Sequence, residues 1–547
     1  MDDHPQYATL APALRASASA SVRNPQSLWW RDGVIYQIYP RSFADANGDG
    51  VGDLPGIISK LDYLQWLGVD AIWLSPIYPS PMADFGYDVS NYHDVDPVFG
   101  SVADVERLIA EAHAHGIRIV LDMVMNHTSN QHPWFVESRS SRDDPQRDWY
   151  LWRDGKAGRE PNNWESVFGG KAWTWDERAG QYYLHLFLPE QPDLNWRNPQ
   201  VKQAVFDECR FWLDRGVDGF RLDVAHMLVK AENMLDNPSK LGLYGYDRQH
   251  HFYQINQPET HAIWKEFRKL LDHYPERMAV GEVDPEGAEG YYGNGRDELH
   301  LVFNFGMLRL GWHARGFHNV VAEWEAKLPE LAWPCWVLGN HDVRRLASRY
   351  VSGLFTEART RVAATMLLTL RGTPFIYYGE EIGMRDGDIP RDEIQDPPGR
   401  KYWPFYKGRD GCRTPMQWDT SLHAGFSTGQ PWLRVNPDYR QRNVELQRND
   451  PSSLLSFYRR LIALRRESPA LLYGNYHALG KPIEVWAFER ATHKQRMLVA
   501  LNFFSRPAQI SVEGNWRVCL SSAVRADLNV SRMLALAPNE AVILEAV

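Results

Sequence analysis

The 547-residue sequence has only four cysteines, no excess of basic residues, and no apolar run long enough for a membrane span, which takes about 18 uninterrupted residues. Cys209, Cys335, Cys412 and Cys519 are far apart and form no CxxC pair. That excludes a disulfide framework and a zinc ribbon, and buried free thiols are expected. Lys and Arg total 60 against 69 Asp and Glu, a net charge of −9, so no global basic surface invites nucleic acid or anionic lipid. No histidine pair has HExxH spacing, which argues against a zinc hydrolase. Internal repeats and low-complexity tracts are absent beyond the first residues. What the chain does have is aromatic surface: 13% of its residues, including 22 Trp. Such side chains suit stacking on sugar rings and also fill large cores, and composition does not separate the two.

Residues 11–22, APALRASASASV, are Ala- and Ser-rich but lack a preceding basic segment and are interrupted by Arg15. They read as part of a flexible tail, 1–27, and not as a secretory signal, so a cytoplasmic location is expected. From residue 28, short apolar runs alternate with helical patterns. VIYQIY (34–39), DAIWLSP (70–76), IRIVLDMV (117–124), GFRLDV (219–224), RMAVGEV (277–283), LHLVFNF (299–305), CWVLGN (335–340) and PFIYYGEE (374–381) read as buried strands. Between them lie segments such as SVADVERLIAEAHAHG, which opens on Ser101 and stops at Gly116. Eight parallel strands alternating with helices predict an α/β fold, a (β/α)8 TIM barrel. The barrel is expected over 28–125 and 199–465, with a loop-rich subdomain at 382–450. An inserted loop-rich domain after the third strand is expected at 126–198, and a C-terminal antiparallel β domain at 466–547.

In such barrels the working residues gather at the C-terminal ends of the strands. Those ends carry Asp122, Asn126 and His127, then Arg221 and Asp223, then Glu282, then Asn340, His341 and Asp342. Converging carboxyls suit glycoside hydrolysis, in which one attacks or activates water and the other protonates the leaving oxygen. Arg221, two positions before Asp223, shares its strand face and is expected to keep Asp223 ionised. Glu282 has apolar sequence neighbours, Ala279, Val280 and Val283, which are expected to favour its protonated form. A second pattern places Asp45, Asn47, Asp49, Val51 and Asp53 at alternate positions, like the first part of an EF-hand loop. Position twelve is Gly56 and a strand precedes the loop, so it is not an EF-hand. The five oxygens could hold a cation, or the loop could be a metal-free Asp-rich turn.

DMVMNHT, GFRLDVAH, AVGEV and VLGNHD, in that order, resemble the four characteristic regions of the α-amylase family of glycoside hydrolases. QPDLN (191–195), the segment VIYQIYPRSFADANGDGVGDLPGI and GCRTPMQWD resemble its oligo-1,6-glucosidase and α-glucosidase branch. By position, the resemblance makes Asp223 the nucleophile, Glu282 the acid/base and Asp342 a third acid that binds sugar hydroxyls. It implies that Asp84, Tyr87, His127, Phe168, Phe187, Arg221, His341 and Arg409 surround the first glucose, with Arg409 paired to Asp84 and Arg413 the weaker candidate. For Phe168 and Phe187 a place in the core of the insertion is the alternative. Asp88, Asp122 and Asn126 read as supports. A structural divalent cation, Ca²⁺ or else Mg²⁺, is implied at 45–53, and no organic cofactor.

The expected activity is that of a retaining, exo-acting α-glucosidase on short α-1,4- or α-1,6-linked glucosides such as maltose or isomaltose, with some transglucosylation. Its partner is a small α-glucoside, with no nucleic acid or membrane, and the chain is expected to be a monomer or a weak homo-oligomer. A sucrose- or trehalose-acting glucosidase, a sucrose isomerase or a dedicated transglucosylase would use the same acids. A non-enzymatic transporter partner would carry a membrane span and tend to lack the full acid set. Val224, after the nucleophile, resembles enzymes acting on α-1,6 bonds, whereas DFGYD at 84–88 departs from their usual DNGYD. The Trp residues of the insertion (Trp134, Trp149, Trp152, Trp164, Trp173, Trp175 and Trp196) are expected to wall the pocket.

Overall fold

The computed structural model describes residues 28–284 and 286–547, so the expected tail over 1–27 lies outside the described residues. Eight strands form a closed parallel barrel: β1 (Ile35–Ile38), β2 (Ala71–Leu74), β3 (Arg118–Met123), β4 (Gly219–Leu222), β5 (Met278–Gly281), β6 (Leu301–Asn304), β7 (Cys335–Val337) and β8 (Thr373–Tyr377). Each falls within or beside one of the eight apolar runs. Parallel barrel strands are covered on both faces, so they read as continuous apolar stretches. Alternate residues serve the two faces. Ile35, Trp73, Val120, Val280, Phe303, Val337 and Phe375 share one buried cluster, while Tyr36, Ile72, Ile119, Ala279, Val302 and Ile376 join another. The first set fills the barrel and the second packs under the outer helices.

The outer helices begin where the sequence provides caps. Ser101 and Asp104 form a reciprocal capping box on Val102–Ala114, and Asn198 caps Pro199–Leu213, which has Pro at its first turn. Parallel register sets Asp122 of β3 beside Arg221 of β4, and Arg221 beside Val280 of β5. The acids are thereby ordered around the barrel mouth before any side chain is placed.

Between β3 and β4 the chain builds a loop-rich layer holding a short α-helix, Pro133–Ser138, a 3-10 turn, Arg147–Trp149, and a three-stranded sheet of Trp152–Arg153, Gln181–Leu184 and Trp173–Asp176. Its tryptophans depart from expectation. Trp152, Trp164, Trp173 and Trp196 are buried, Trp134 packs edge-on against Trp149, and Trp175 stands 43% exposed on the small sheet against Tyr182. Trp164 and Trp173 anchor the layer through Leu235 O and the Asn162 side chain. A layer this short of regular structure needs large side chains to make a core, and the tryptophans supply it.

After two helices, Leu454–Glu467 and Pro469–Tyr473, the chain ends in an antiparallel sheet. It comprises β9 (Asn475–Ala478), β10 (Val485–Ala491), β11 (Arg496–Asn502), β12 (Ala508–Ser521), β13 (Asn529–Leu536) and β14 (Ala541–Ala546), in the order β9-β10-β11-β14-β12-β13. Two fully buried arginines lie at the seam with the barrel. Arg465 donates to the carbonyls of Leu368 and Gly372, and Arg490 to those of Thr369 and Gly474, closing the end of the helix Thr356–Thr369. All four cysteines are free, three buried and Cys519 half-buried. Among the described residues no helix is long and apolar enough to cross a membrane.

Candidate active site at the barrel mouth

Arg221 is the hub. Its Nη1 donates to Asp122 Oδ1 at 2.8 Å and to Asp223 Oδ1 at 2.9 Å, and its Nη2 donates to Glu282 Oε2. One guanidinium therefore holds three carboxyls from β3, the end of β4 and the end of β5. The guanidinium lies over the ring of Trp73 at 5.2 Å, which fixes its plane from below. The carboxyls of Asp223, Glu282 and Asp342 keep 9%, 19% and 32% of their side-chain surface, so all three face one open mouth.

Arg221 pulls Asp223 toward its ionised form, as expected from their shared strand face, but it does not act alone. Burial pushes the Asp223 carboxyl well above the usual carboxylate range; Arg221 opposes this, while Glu282, Asp122 and Asp342 add to it. A single positive charge shared by three carboxyls does not compensate them all. Burial likewise raises Asp122 to about 6 against the pull of Arg221. The apolar setting expected for Glu282 is also incomplete. Ala279, Val280 and Val283 are buried beside it, but its carboxyl rests on Arg221.

Asp342 is different. Burial works against its charge, but the positive groups around it, His341 when protonated and the guanidiniums of Arg409, Arg413 and Arg221, outweigh burial and hold it well below the usual range. Arg409 Nη1 and Arg413 Nη2 both reach Asp342 Oδ1, at 3.1 and 3.0 Å. Arg409 Nη2 also donates to Asp84 Oδ1 at 2.7 Å, and its Nε donates to Asp396 Oδ1 at 2.8 Å. Burial raises Asp84 to about 6 despite Arg409. The Arg409 guanidinium sits over the Phe168 ring at 5.2 Å, Phe168 meets Phe187 edge-on at 5.6 Å, and Phe187 lies 5.2 Å from His127. Both phenylalanines are half-buried, at the border of the insertion and the mouth.

Tyr87 and His341 stack almost parallel, with centroids 5.5 Å apart. The Gln37 amide lies 2.8 Å from His341 Nδ1, His341 Nε2 lies 2.7 Å from Tyr87 Oη, and Tyr87 donates to Asp122 at 3.1 Å. Burial lowers His341 to about 3 and His127 to about 4, so both are neutral at neutral pH and act as dipolar hydrogen-bonding groups. Asp88 accepts from Ser80 and from the amides of Ala83 and Asp84, closing the loop that carries Asp84. Asn126 is held by Lys230, which pairs with Asp193.

All the residues singled out for sugar chemistry thus belong to one connected network. Sequence reasoning ranked Arg409 above Arg413 as the partner of Asp84, and that pair is present; it did not single out Asp396, Gln37 or Gln191. The last of these approaches His127 at 3.1 Å and stands in the QPDLN string, where a signal was readable. Gln37 and Arg413 also stand in quoted strings, VIYQIY and GCRTPMQWD, whereas Asp396 lies in none of them. A separate open groove of about 550 Å³, lined by residues including Arg197, Gln257 and Glu259, shares no residue with this network.

In the acidic loop, Asp45 accepts from the amides of Gly48 and Gly50 at 2.7 and 2.8 Å, and Asp49 from Val51 at 2.8 Å. Asn47 Oδ1 accepts from the Asp49 amide at 2.8 Å. Asp53 accepts from the amides of Ala46, Asn47 and Gly56, and caps the helix Leu54–Ile58. Burial raises Asp53, and the like charge of Asp45 adds to the rise. Among the described residues no three Asp, Glu, His or Cys side chains converge as a ready metal centre. The donors are nevertheless all hard oxygens with lone pairs to spare, in a loop whose carboxyls repel, and that chemistry fits Ca²⁺ or Mg²⁺.

A closed parallel barrel with carboxyls converging at neighbouring strand ends has the layout of a glycoside hydrolase. The chain belongs to the α-amylase family: the α-amylase catalytic domain matches residues 37–474. It is 44% identical over 514 residues to a probable α-glucosidase of Rhizobium meliloti, covering 90% of this chain and 92% of that protein. To an oligo-1,6-glucosidase of Parageobacillus thermoglucosidasius it is 42% identical, covering 87% and 91%. Among solved structures, an α-glucosyl transfer enzyme, XgtA, superposes with a TM-score of 0.91 at 43% identity, over 95% of this chain and all of that one. The trehalulose synthase MutB of Pseudomonas mesoacidophila gives 0.87 at 37% identity, with the same coverage.

Proposed function

We propose that this chain is a retaining, exo-acting α-glucosidase that removes the terminal glucose from short α-glucosides. The observation carrying this reading is that Asp223 and Glu282 are bound to the two arms of one guanidinium. That arrangement favours the short carboxyl separation of retaining enzymes, about 5–5.5 Å, over the wider gap that admits a water. Asp223 attacks the anomeric carbon while Glu282 gives its proton to the departing glycosidic oxygen, leaving a glucosyl ester on Asp223. Water then attacks the same carbon and passes its proton to Glu282, and the ester bond to Asp223 breaks. Three carboxyls on one arginine favour retention of one proton among them, and the first step needs it on Glu282. Asp342, kept ionised by Arg409 and Arg413, accepts hydrogen bonds from sugar hydroxyls that strengthen as positive charge develops on the ring. The Arg409–Asp84 pair and Phe168 form the closed end that limits the pocket to one glucose, with Tyr87, His127, Phe187 and His341 around the ring.

Val224 follows the nucleophile and is the residue type that resembles enzymes acting on α-1,6 bonds, which supports a preference for those bonds. A methyl-scale contact is worth about 1–3 kcal/mol, so it tilts the choice without making it absolute. ¹H NMR of the first-released glucose from maltose, isomaltose, sucrose and trehalose tests the assignment. Initial α-glucose, with isomaltose giving the highest kcat/KM, is the expected outcome; initial β-glucose would refute retention. The likeness to XgtA and MutB favours a second reading, transfer of the glucosyl group to another sugar. This appears as di- and trisaccharide products or isomerised sucrose in the same spectra.

The loop of Asp45, Asn47, Asp49, Val51 and Asp53 is proposed to hold a structural divalent cation, Ca²⁺ or Mg²⁺. Chelation is then expected to lower Tm by a few degrees with kcat unchanged after the metal is restored, whereas an unchanged Tm would argue for a metal-free turn. Cytoplasmic placement is part of the same proposal, in keeping with four unpaired cysteines.

A further inference from the structure

The loop after β2 carries a residue whose backbone and side chain point in opposite energetic directions. Phe85 has φ of 49°, in the left-handed region that glycine and asparagine tolerate and a bulky aromatic residue does not favour. Gly86 follows with φ of 103°, and Met82 precedes with 63°. A loop held in this shape by a phenylalanine must gain from the ring what it loses in the backbone.

The ring is half-buried between two cations. Its centroid lies 5.4 Å from the Arg41 guanidinium carbon and 5.9 Å from that of Arg413, and it leans on Trp432 at 5.5 Å. Arg41 is further tied to Trp432, at 5.0 Å, and Arg413 to Tyr39, at 5.3 Å. Tyr39 in turn stacks on His341 at 5.9 Å. Phe85 is thus an aromatic spacer that separates two like charges while attracting both through its ring faces. Arg413 is the cation that matters for the mouth. Its Nη2 holds Asp342 Oδ1 at 3.0 Å and its Nε holds His341 O at 2.8 Å. Its Nη1 has no hydrogen-bond partner; it faces Asp396 Oδ1 at 4.0 Å, and the rings of Tyr39 and Phe85 pack against the guanidinium.

We propose that Phe85 is a positioning residue for the glucose pocket: through its ring it sets Arg413, and through Arg413 the orientation of Asp342. The inference rests on the glucosidase reading, since it concerns how one of its three acids is aimed. The side chain does not itself touch the reacting atoms. Its contribution is largest when Asp342 must bind sugar hydroxyls most tightly, in the transition state, so its loss lowers kcat more than it raises KM.

Phe85→Asn tests this directly, because asparagine suits the left-handed backbone and removes only the ring. Steady-state kinetics on an aryl α-glucoside are expected to show kcat reduced about tenfold, KM changed less than about threefold, and Tm unchanged or raised. Phe85→Tyr, which keeps the ring, restores kcat to within about twofold, and Phe85→Leu falls between. In an Arg413→Lys background Phe85→Asn adds little further loss, which a merely structural role would not produce. The proposal is overturned if Phe85→Asn keeps kcat within twofold of the parent. It is also overturned if its loss is the same with and without Arg413, or if the kinetic loss follows a drop in Tm that Phe85→Leu shares. Failure of the glucosidase reading itself appears separately, as no glucose release by the unmodified chain.

Discussion

Two groups of arginines shielded from solvent, one at the barrel mouth and one at the seam with the C-terminal sheet, are used in opposite ways. At the barrel mouth Arg221, Arg409 and Arg413 each face carboxyls, and these opposing charges overcome burial to hold the guanidiniums more firmly protonated than usual. At the seam with the C-terminal sheet, Arg465 and Arg490 face backbone carbonyls. Burial lowers Arg465 to about 10, and it lowers Arg490 strongly, with the neighbouring Arg465 charge adding to the effect. A guanidinium offers five donors in a rigid fork, and the seam uses that fork as a clamp on chain ends. The mouth uses the same fork as a fixed positive field that sets where protons reside. The first arrangement serves stability and the second serves chemistry, although both arginine sets are shielded from solvent.

Breaking the mouth has the largest expected effect. Asp223→Asn should lower kcat on an aryl α-glucoside by at least about 10³-fold. Its Tm should hold or rise, because one of three crowded carboxyls is removed from a site that cannot compensate them all. A Tm loss of many degrees, or near-parental kcat, would contradict that division of labour. Arg490→Met should do the reverse. It leaves the carbonyls of Thr369 and Gly474 without a donor, and each unsatisfied buried acceptor costs about 1–3 kcal/mol. Tm should drop by several degrees while kcat/KM of the folded fraction, at a temperature below both transitions, stays at the parental value.

The smallest effect concerns pH. His127 and His341, lowered to about 4 and about 3, are neutral when folded and would take up protons on unfolding below about 6.5. Their contribution to stability is complete above that pH and falls away as pH drops. Asp84, raised to about 6, runs the other way: the folded state binds its proton more tightly, so its contribution grows as pH falls from 6 toward the unfolded value. Asp84→Asn is therefore expected to make Tm fall more steeply, between pH 6.5 and 4, than it does in the parent. A shallower slope in the variant would show that Asp84 is ionised throughout.

The barrel was legible in the sequence because its strands are buried on both faces, so runs such as IRIVLDMV stand out without alternation. The helix starts at Ser101 and Asn198 were also written locally. The small sheet of the insertion was not legible, since strands of two to four residues leave too little pattern. For the site, Asp223, Glu282 and Asp342 could be named from their strand ends and from the family strings. The proton affinity of Asp223 could not, because it depends on burial and on Arg221 being shared with Asp122 and Glu282 from separate strands. Nor could the pairing of Arg413 with Asp342, which joins positions 71 residues apart. The insertion tryptophans show the limit of composition: sugar-facing walls and a compact core ask for the same residues.

The closure of the barrel sets the order of events during synthesis. β1 pairs with β8 as well as with β2, so the first barrel strand waits for residues 373–377 before both of its edges are satisfied. Arg409 and Arg413, which hold Asp342, leave the ribosome later still. A nascent chain therefore carries all three acids long before it can aim them, and contacts of such sequence separation form slowly. Until then the unpaired edge of β1 is a place where another chain could add. Expression yield, more than any property of the finished enzyme, should be sensitive to what shelters that edge.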